Sequence, residues 1–182
     1  MLERLTEQAK QAVTASEDAA LAMGHDSIGT EHLLLGLVST PGVASELLRE
    51  HGIAPQQVRE ETVRLLTEKG IPSTGGQAAK DALSSIGIDV AEIQRRADDN
   101  FGPGAFRFPR PGFTFTPRAK IIFERTMQEV QALGHQHIDT GHLLLGLLAE
   151  HEGVAIHVLS RLGVQTPALH QTVLARVTQQ AS

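Results

Sequence analysis

The 182-residue sequence contains no cysteine. That excludes disulfide staples, thiolate metal sites and cysteine nucleophiles, and it fits a reducing compartment. Tryptophan and tyrosine are absent too, and all six phenylalanines fall between Phe101 and Phe123. The core elsewhere must be aliphatic: Leu, Val, Ile, Ala and Met. No apolar run approaches the roughly 20 residues that a membrane-spanning helix needs. The longest candidate, residues 33–38, has the length of a buried helix segment. The polar start, MLERLTEQAK, lacks the apolar stretch of a secretory signal, so the expected location is cytoplasmic. Long period-two alternation is missing, which argues against strands. Acids are missing from one stretch: none occurs from Phe101 to Phe123, whereas residues 1–100 carry 16 acids against 9 bases. The formal net charge of −5 argues against a nucleic-acid binder. No G-x-S-x-G or H-E-x-x-H occurs, so no catalytic residue is expected.

What is present is a repeat. Residues 23–37, M-G-H-D-S-I-G-T-E-H-L-L-L-G-L, match residues 133–147, L-G-H-Q-H-I-D-T-G-H-L-L-L-G-L, at an offset of 110. Upstream, Thr6, Ala9 and Lys10 match Thr116, Ala119 and Lys120. After one inserted residue, Gly42-Val43-Ala44 matches Gly153-Val154-Ala155, and Gly52-Ile53 matches Gly163-Val164. Each copy runs for about 65 residues. A partial third copy lies between them: the pattern L-x-x-x-G-I-x-x-x-x-V of 48–58 returns as L-x-x-x-G-I-x-x-x-x-I at 83–93 and L-x-x-x-G-V-x-x-x-x-L at 159–169. Residues 77–100 are therefore expected to form an inserted helical hairpin, broken near Gly87, with Leu83, Ile86, Ile88 and Ile93 facing inward.

Each copy is predicted to be helical. Ala9, Val13, Ala20 and Met23 follow the 3.6-residue period over 6–23. Thr6 and Thr116-Pro117 are start signals, and Gly24 and Gly134 are stop signals. Thr30 and Thr140 are expected to cap a second, Leu-rich helix that is apolar all round and hence buried. Gly36 and Gly146 cost about 1 kcal/mol each inside a helix, so their recurrence predicts close helix packing. Further helices are expected over about 43–51 and 55–69. Residues 70–77 and 101–117 are Gly/Pro-rich linkers.

The repeated G-H-x-x-I-G-T-E-H-L-L-L-G-L block resembles the N-terminal repeat domain of the Clp unfoldases, of the ClpA and ClpC type and also ClpB. The resemblance covers about residues 2–69 and 112–178 and not the hairpin. It implies an all-α fold of two tandem four-helix repeats about a pseudo-twofold axis: 1–69, a linker with hairpin over 70–111, and 112–182. It also implies a non-catalytic module that binds protein substrates, peptides or adaptors of a Clp protease system. No G-x-x-x-x-G-K-[ST] occurs, so the motor's phosphate-binding loop is absent from this chain. The long spacing of the repeats favours a stand-alone member, with a detached unfoldase domain as the alternative.

Within that resemblance, ClpC-type domains bind phosphorylated arginine through the Glu of each G-T-E-H block. That places Glu31 in a candidate ligand pocket with Thr6 and Thr30. In repeat two the same position is Gly141, so at most one such site is expected. Leu2 and Phe115 take the places of apolar residues that line a peptide-facing groove in the family. Lys120 completes the candidate set. The cluster His135, His137, Asp139 and His142 has zinc-ligand chemistry. But His25 matches His135 and His32 matches His142, which marks them as part of the repeat's structure, so no metal and no cofactor are expected. The Phe/Arg segment (Phe106, Arg107, Phe108, Arg110, Phe113, Phe115) offers base-stacking chemistry as a rival reading. Docking to protein or packing onto the body is preferred.

Overall fold

The computed structural model describes residues 2–73 and 114–180, together with 85–89, 92, 95–96 and 99–100 between them. Repeat one is α1 (Glu7–Ala22), α2 (Thr30–Ser39), α3 (Val43–Glu50) and α4 (Pro55–Glu68). Repeat two is α5 (Pro117–Leu133), α6 (Thr140–Leu148), α7 (Val154–Arg161) and α8 (Thr166–Gln180). The all-α, double four-helix architecture expected from the repeat is the one observed.

The start and stop signals work locally. Thr6 Oγ1 accepts the Ala9 N–H at 3.3 Å, and Thr116 Oγ1 accepts the Ala119 N–H at 3.2 Å. Gly24 and Gly134 stand at φ +73° and +69°, where a side chain would be strained. The Leu-rich helices α2 and α6 are buried almost throughout. Their glycines are explained by contact. A Cβ on Gly36 would strike the Ala12 carbonyl oxygen and Ser16 Oγ of α1; one on Gly146 would lie 2.6 Å from the Ile122 carbonyl oxygen of α5.

The repeats are interlocked. α2 and α6 pack on each other at the centre. α4 packs on α7, and α8 packs reciprocally on α3. Thr30 and Thr140, expected to cap their own helices, do something else. The N-caps of α2 and α6 are Gly29 and Asp139. Thr30 Oγ1 instead accepts the Ala155 N–H of α7 at 3.1 Å, and Thr140 Oγ1 accepts the Ala44 N–H of α3 at 3.2 Å. Each threonine thus caps a helix of the other repeat.

The chain segments before α1 and α5 cross over in the same way. β1 (Ser27–Ile28) pairs in parallel with β2 (Thr114–Phe115), in register Ile28 to Phe115. Leu5 bridges Ile138 at the equivalent place. These two-residue pairings escaped the sequence reading because two residues show no periodicity. They also show that Leu5, which is buried, is the counterpart of Phe115. Leu2 sits in a 3₁₀ turn further out. Between the repeats, Gly87 makes a turn at φ +82°, but Ile86 is 70% exposed and Ile88 36% exposed. The inward-facing expectation is therefore wrong for these two: the turn at Gly87 points them to solvent. Leu83 and Ile93 lie outside the described residues. None of the described helices is long and apolar enough to cross a membrane.

Candidate functional site

The N-terminal turn of α2 builds a recess of about 470 Å³. Glu31 and His32 of α2, His25 from the α1–α2 loop, and Leu66 and Pro72 from the end of repeat one line it. Repeat two contributes Thr116 and Val154. The swap of the repeats decides this membership. Thr6 donates its backbone N–H to Ile138 O at 2.9 Å, so it stands at the other helix start, beside repeat two's loop. Of the expected pocket of Thr6, Thr30 and Glu31, only Glu31 lines the recess. Thr30 is buried beside it with its oxygen committed to α7, and Thr116 takes the place assigned to Thr6. Lys120 is exposed on α5. Phe115 is half-buried and packs edge-on against Phe123, with ring centres 4.9 Å apart. The rest of the Phe/Arg segment lies outside the described residues.

Glu31 is 9% exposed. Burial pushes its carboxyl above the usual carboxylate range; hydrogen bonds from its own backbone N–H and the Thr30 hydroxyl, and the more distant charges of His25 and Lys69, offset only part of that. Its carboxylate curls back over Gly29, where a Cβ would lie 2.5 Å from Oε2. In this rotamer Glu31 fills the space that an N-cap side chain would take.

His25 and His32 form a chain of hydrogen bonds. The Gly29 N–H donates to His32 Nδ1 at 2.8 Å. His32 Nε2 lies 2.8 Å from His25 Nδ1, and His25 Nε2 lies 2.9 Å from Pro72 O. Burial, with the neighbouring His25 second, pushes the His32 ring down to about 3, so it is neutral at physiological pH. With Glu31, these rings could supply three metal-ligand atoms within 4.8 Å of one another. The donor pattern does not fit a metal. A ligating imidazole needs an acceptor at its other nitrogen, and His32 Nδ1 faces the Gly29 N–H donor.

Repeat two carries the same pair, with His135 Nδ1 2.9 Å from His142 Nε2. Its carboxylate differs. Asp139 Oδ1 lies 2.8 Å from His142 Nδ1 and accepts the His142 N–H at 3.0 Å. Burial raises the Asp139 carboxyl, but the ring and backbone hydrogen bonds of His142 outweigh it and hold it below its ordinary value. His137 is exposed and joins no metal cluster among the described residues. The space that Glu31 fills in repeat one is closed here: a Cβ on Gly141 would lie 2.6 Å from Val177 Cγ2 and 3.0 Å from Val43 Cγ1. Thr116, Val154, Leu66 and Pro72 were the lining residues that sequence reasoning missed. The Thr6–Thr116 match pointed at one of them, but only the crossing of the repeats shows which threonine meets which glutamate.

A family model described as the Clp repeat (R) N-terminal domain matches residues 4–78 and 114–182. The chaperone protein ClpB of Oceanobacillus iheyensis is 36% identical over 96% of this chain. The negative regulator of genetic competence ClpC/MecB of Bacillus subtilis is 34% identical over 96%. The chain spans only 17% of the length of each of these relatives. Among solved structures, the N-terminal domain of the caseinolytic protease associated chaperone ClpD from Arabidopsis thaliana covers 96% of this chain, with 95% of its own length matched. That pair superposes with a TM-score of 0.64 at 24% identity, a likeness of fold. With both helical repeats matched on either side of the spacer, the chain belongs to the Clp repeat N-terminal domain family.

Proposed function

We propose that this chain is a non-catalytic recognition module that presents proteins or peptides to a Clp-type degradation system, and that Glu31 reads the guanidinium of a bound side chain, that of phosphorylated arginine first. One observation carries this reading: a buried carboxylate, held above its ordinary pKa, lines an open recess. Such a group gains most from a cation, which returns it to its ionised form in a low-dielectric setting. A guanidinium pairs with carboxylate in a directed, charge-assisted geometry. The N-terminal turn of α2 supplies positive dipole character for a phosphate on the same side chain. The substrates and adaptors of Clp unfoldases are the matching partners.

Calorimetry with free phosphoarginine tests it. The expected stoichiometry is one per chain, and Glu31→Gln abolishes the heat. Binding that survives Glu31→Gln, or two equal sites, would overturn the assignment. Recovery of Clp unfoldase or protease components in a pull-down tests the wider role.

A further inference from the structure

The His25–His32 pair has a feature that the cation-binding reading does not use. Both ends of its hydrogen-bond chain are backbone groups of fixed sense. The Gly29 N–H can only donate, so His32 Nδ1 must accept and the ring proton of His32 sits on Nε2. Pro72 O can only accept, so His25 Nε2 must donate, leaving His25 Nδ1 to accept from His32 Nε2–H. The Gly29 amide proton and one proton on each ring fill the three bonds, and each ring has a single allowed tautomer. A further proton has no place. On His25 Nδ1 it confronts the His32 Nε2–H at the 2.8 Å contact. On His32 Nδ1 it confronts the Gly29 N–H.

We propose that the His25–His32 pair is a proton-operated latch: one added proton breaks the chain that ties Pro72 to the start of α2 and loosens the wall of the Glu31 recess. Pro72 and Ile71 form that wall, and Ile71 is 43% exposed. The Pro72 carbonyl is held from below by His25, while the Ile71 N–H is bonded to Leu66 O at 2.9 Å.

The charges that face the pair are Glu31 on α2 itself, Asp26 on the adjoining loop and Lys69 at the end of α4. α7 and the start of α5 present Val154 and Thr116 there, neither of them charged. Glu31 Oε1 lies 3.7 Å from His32 Nδ1, too far for a hydrogen bond, so it does not offer the added proton a seat. Repeat two contains the control. Asp139 Oδ1 stands 2.8 Å from His142 Nδ1, closer than the Asp139 N–H that faces the same nitrogen at 3.2 Å, so a proton placed there gains an acceptor while His142 Nε2–H still serves His135. The second pair takes a proton without breaking its ring-to-ring contact; the first cannot.

The test needs no ligand, so its failure is distinguishable from a failure of cation binding at Glu31. Ring-nitrogen NMR spectra of the full chain are followed from about pH 8 to about pH 5, the range in which histidine changes charge. At the upper end both rings of the first pair should carry their proton on Nε2. As the pair takes up a proton, the amide signals of Ile71 and Ser73 should move with the same midpoint. Protection of the Ile71 amide from exchange should fall as the proton is taken up. Titration of His135–His142 should leave those amides still. In His25→Gln the amide accepts from His32 and donates to Pro72 O but takes no proton, so the movement at Ile71 and Ser73 should vanish. Amides of residues 71 and 73 that ignore the wild-type titration would overturn the latch, as would an equal movement in His25→Gln. Should that variant not fold, the wild-type titration alone decides.

Discussion

Repeat one and repeat two each place one carboxylate over the start of their Leu-rich helix, but from different positions. In repeat one the acid is Glu31, inside the helix, and the N-cap is Gly29. In repeat two the acid is the N-cap Asp139, and the inner position is Gly141. A Cβ at Gly29 would meet the Glu31 carboxylate, and one at Gly141 would lie 3.1 Å from Asp139 Oδ1. In these rotamers each carboxylate occupies space next to the glycine that the other repeat fills with an acid. Their chemistry then diverges. Asp139 is satisfied by His142 and held below its ordinary value, so it makes no demand on a ligand. Glu31 is held above its ordinary value and faces an open recess. The shared residues hold the fold; the exchanged pair separates a carboxylate-lined recess from a position closed by Val177 and Val43.

The largest expected effect treats the repeats alike. Gly36→Leu and Gly146→Leu each drive a side chain into the backbone of α1 or α5, at a cost of about 3 kcal/mol or more. Urea unfolding should show both, to a similar degree; tolerance of either would break the equivalence of the two helix contacts. Next comes the asymmetry itself. Removing the carboxylate in Glu31→Ala should weaken a cationic ligand by about 1.5–3 kcal/mol, tenfold or more in Kd. Gly141→Glu should create no second site, and overpacking against Val177 and Val43 should destabilise the chain by about 1–3 kcal/mol. A Gly141→Glu variant that binds a second ligand without loss of stability would sink this account of repeat two.

The pH dependence separates the repeats by window. His32 is lowered from 6.5 to about 3, so the unfolded chain binds a proton that the native ring refuses. Stability therefore falls as pH drops below 6.5, with a slope of up to about 1.4 kcal/mol per pH unit from this group. Asp139 is lowered from 3.8, so its contribution is lost only in stronger acid. Between pH 6.5 and 3.8, His32→Gln should flatten the stability profile. A profile of unchanged slope in that variant would remove His32 from the account. The smallest effect concerns the crossed caps. Thr30→Val and Thr140→Val each remove an acceptor from a helix of the opposite repeat, costing about 1 kcal/mol. A double variant should lose nearly the sum, because each threonine serves a different helix and the two share no hydrogen-bond partner.

Much of this was legible from residue types and spacing. Thr6 and Thr116 announce helix starts because a hydroxyl acceptor satisfies an otherwise unpaired N–H. Gly24 and Gly134 announce stops because their left-handed conformation is easy only for glycine. Gly36 and Gly146 pointed to close contact because a helix keeps an interior glycine at a cost only for some return. The loss of the acid at Gly141 was visible as a substitution in the repeat. All of these are local, decided within a few residues of the position read.

What the spacing did not reveal is long-range. Thr30 looks like a cap for α2, and its oxygen is taken by α7, 125 residues away in sequence. Thr6 looks like a neighbour of Glu31, and Thr116 lines the recess instead. Ile88 repeats the buried position of Ile53 and Val164 yet is 36% exposed, and Ile86 stands where the full copies carry the exposed His51 and the half-buried Leu162, so the repeat gave it no inward side. The amino-acid sequence by itself determined the helices, their ends, the repeat and the single surviving inner carboxylate, since each follows from short-range hydrogen bonding and periodicity. Only the tertiary structure decided which repeat completes which site. Two similar helical sets can bury their apolar faces either separately or by interlocking, and the crossed caps and strand pairs that distinguish the two arrangements leave no local mark in the chain.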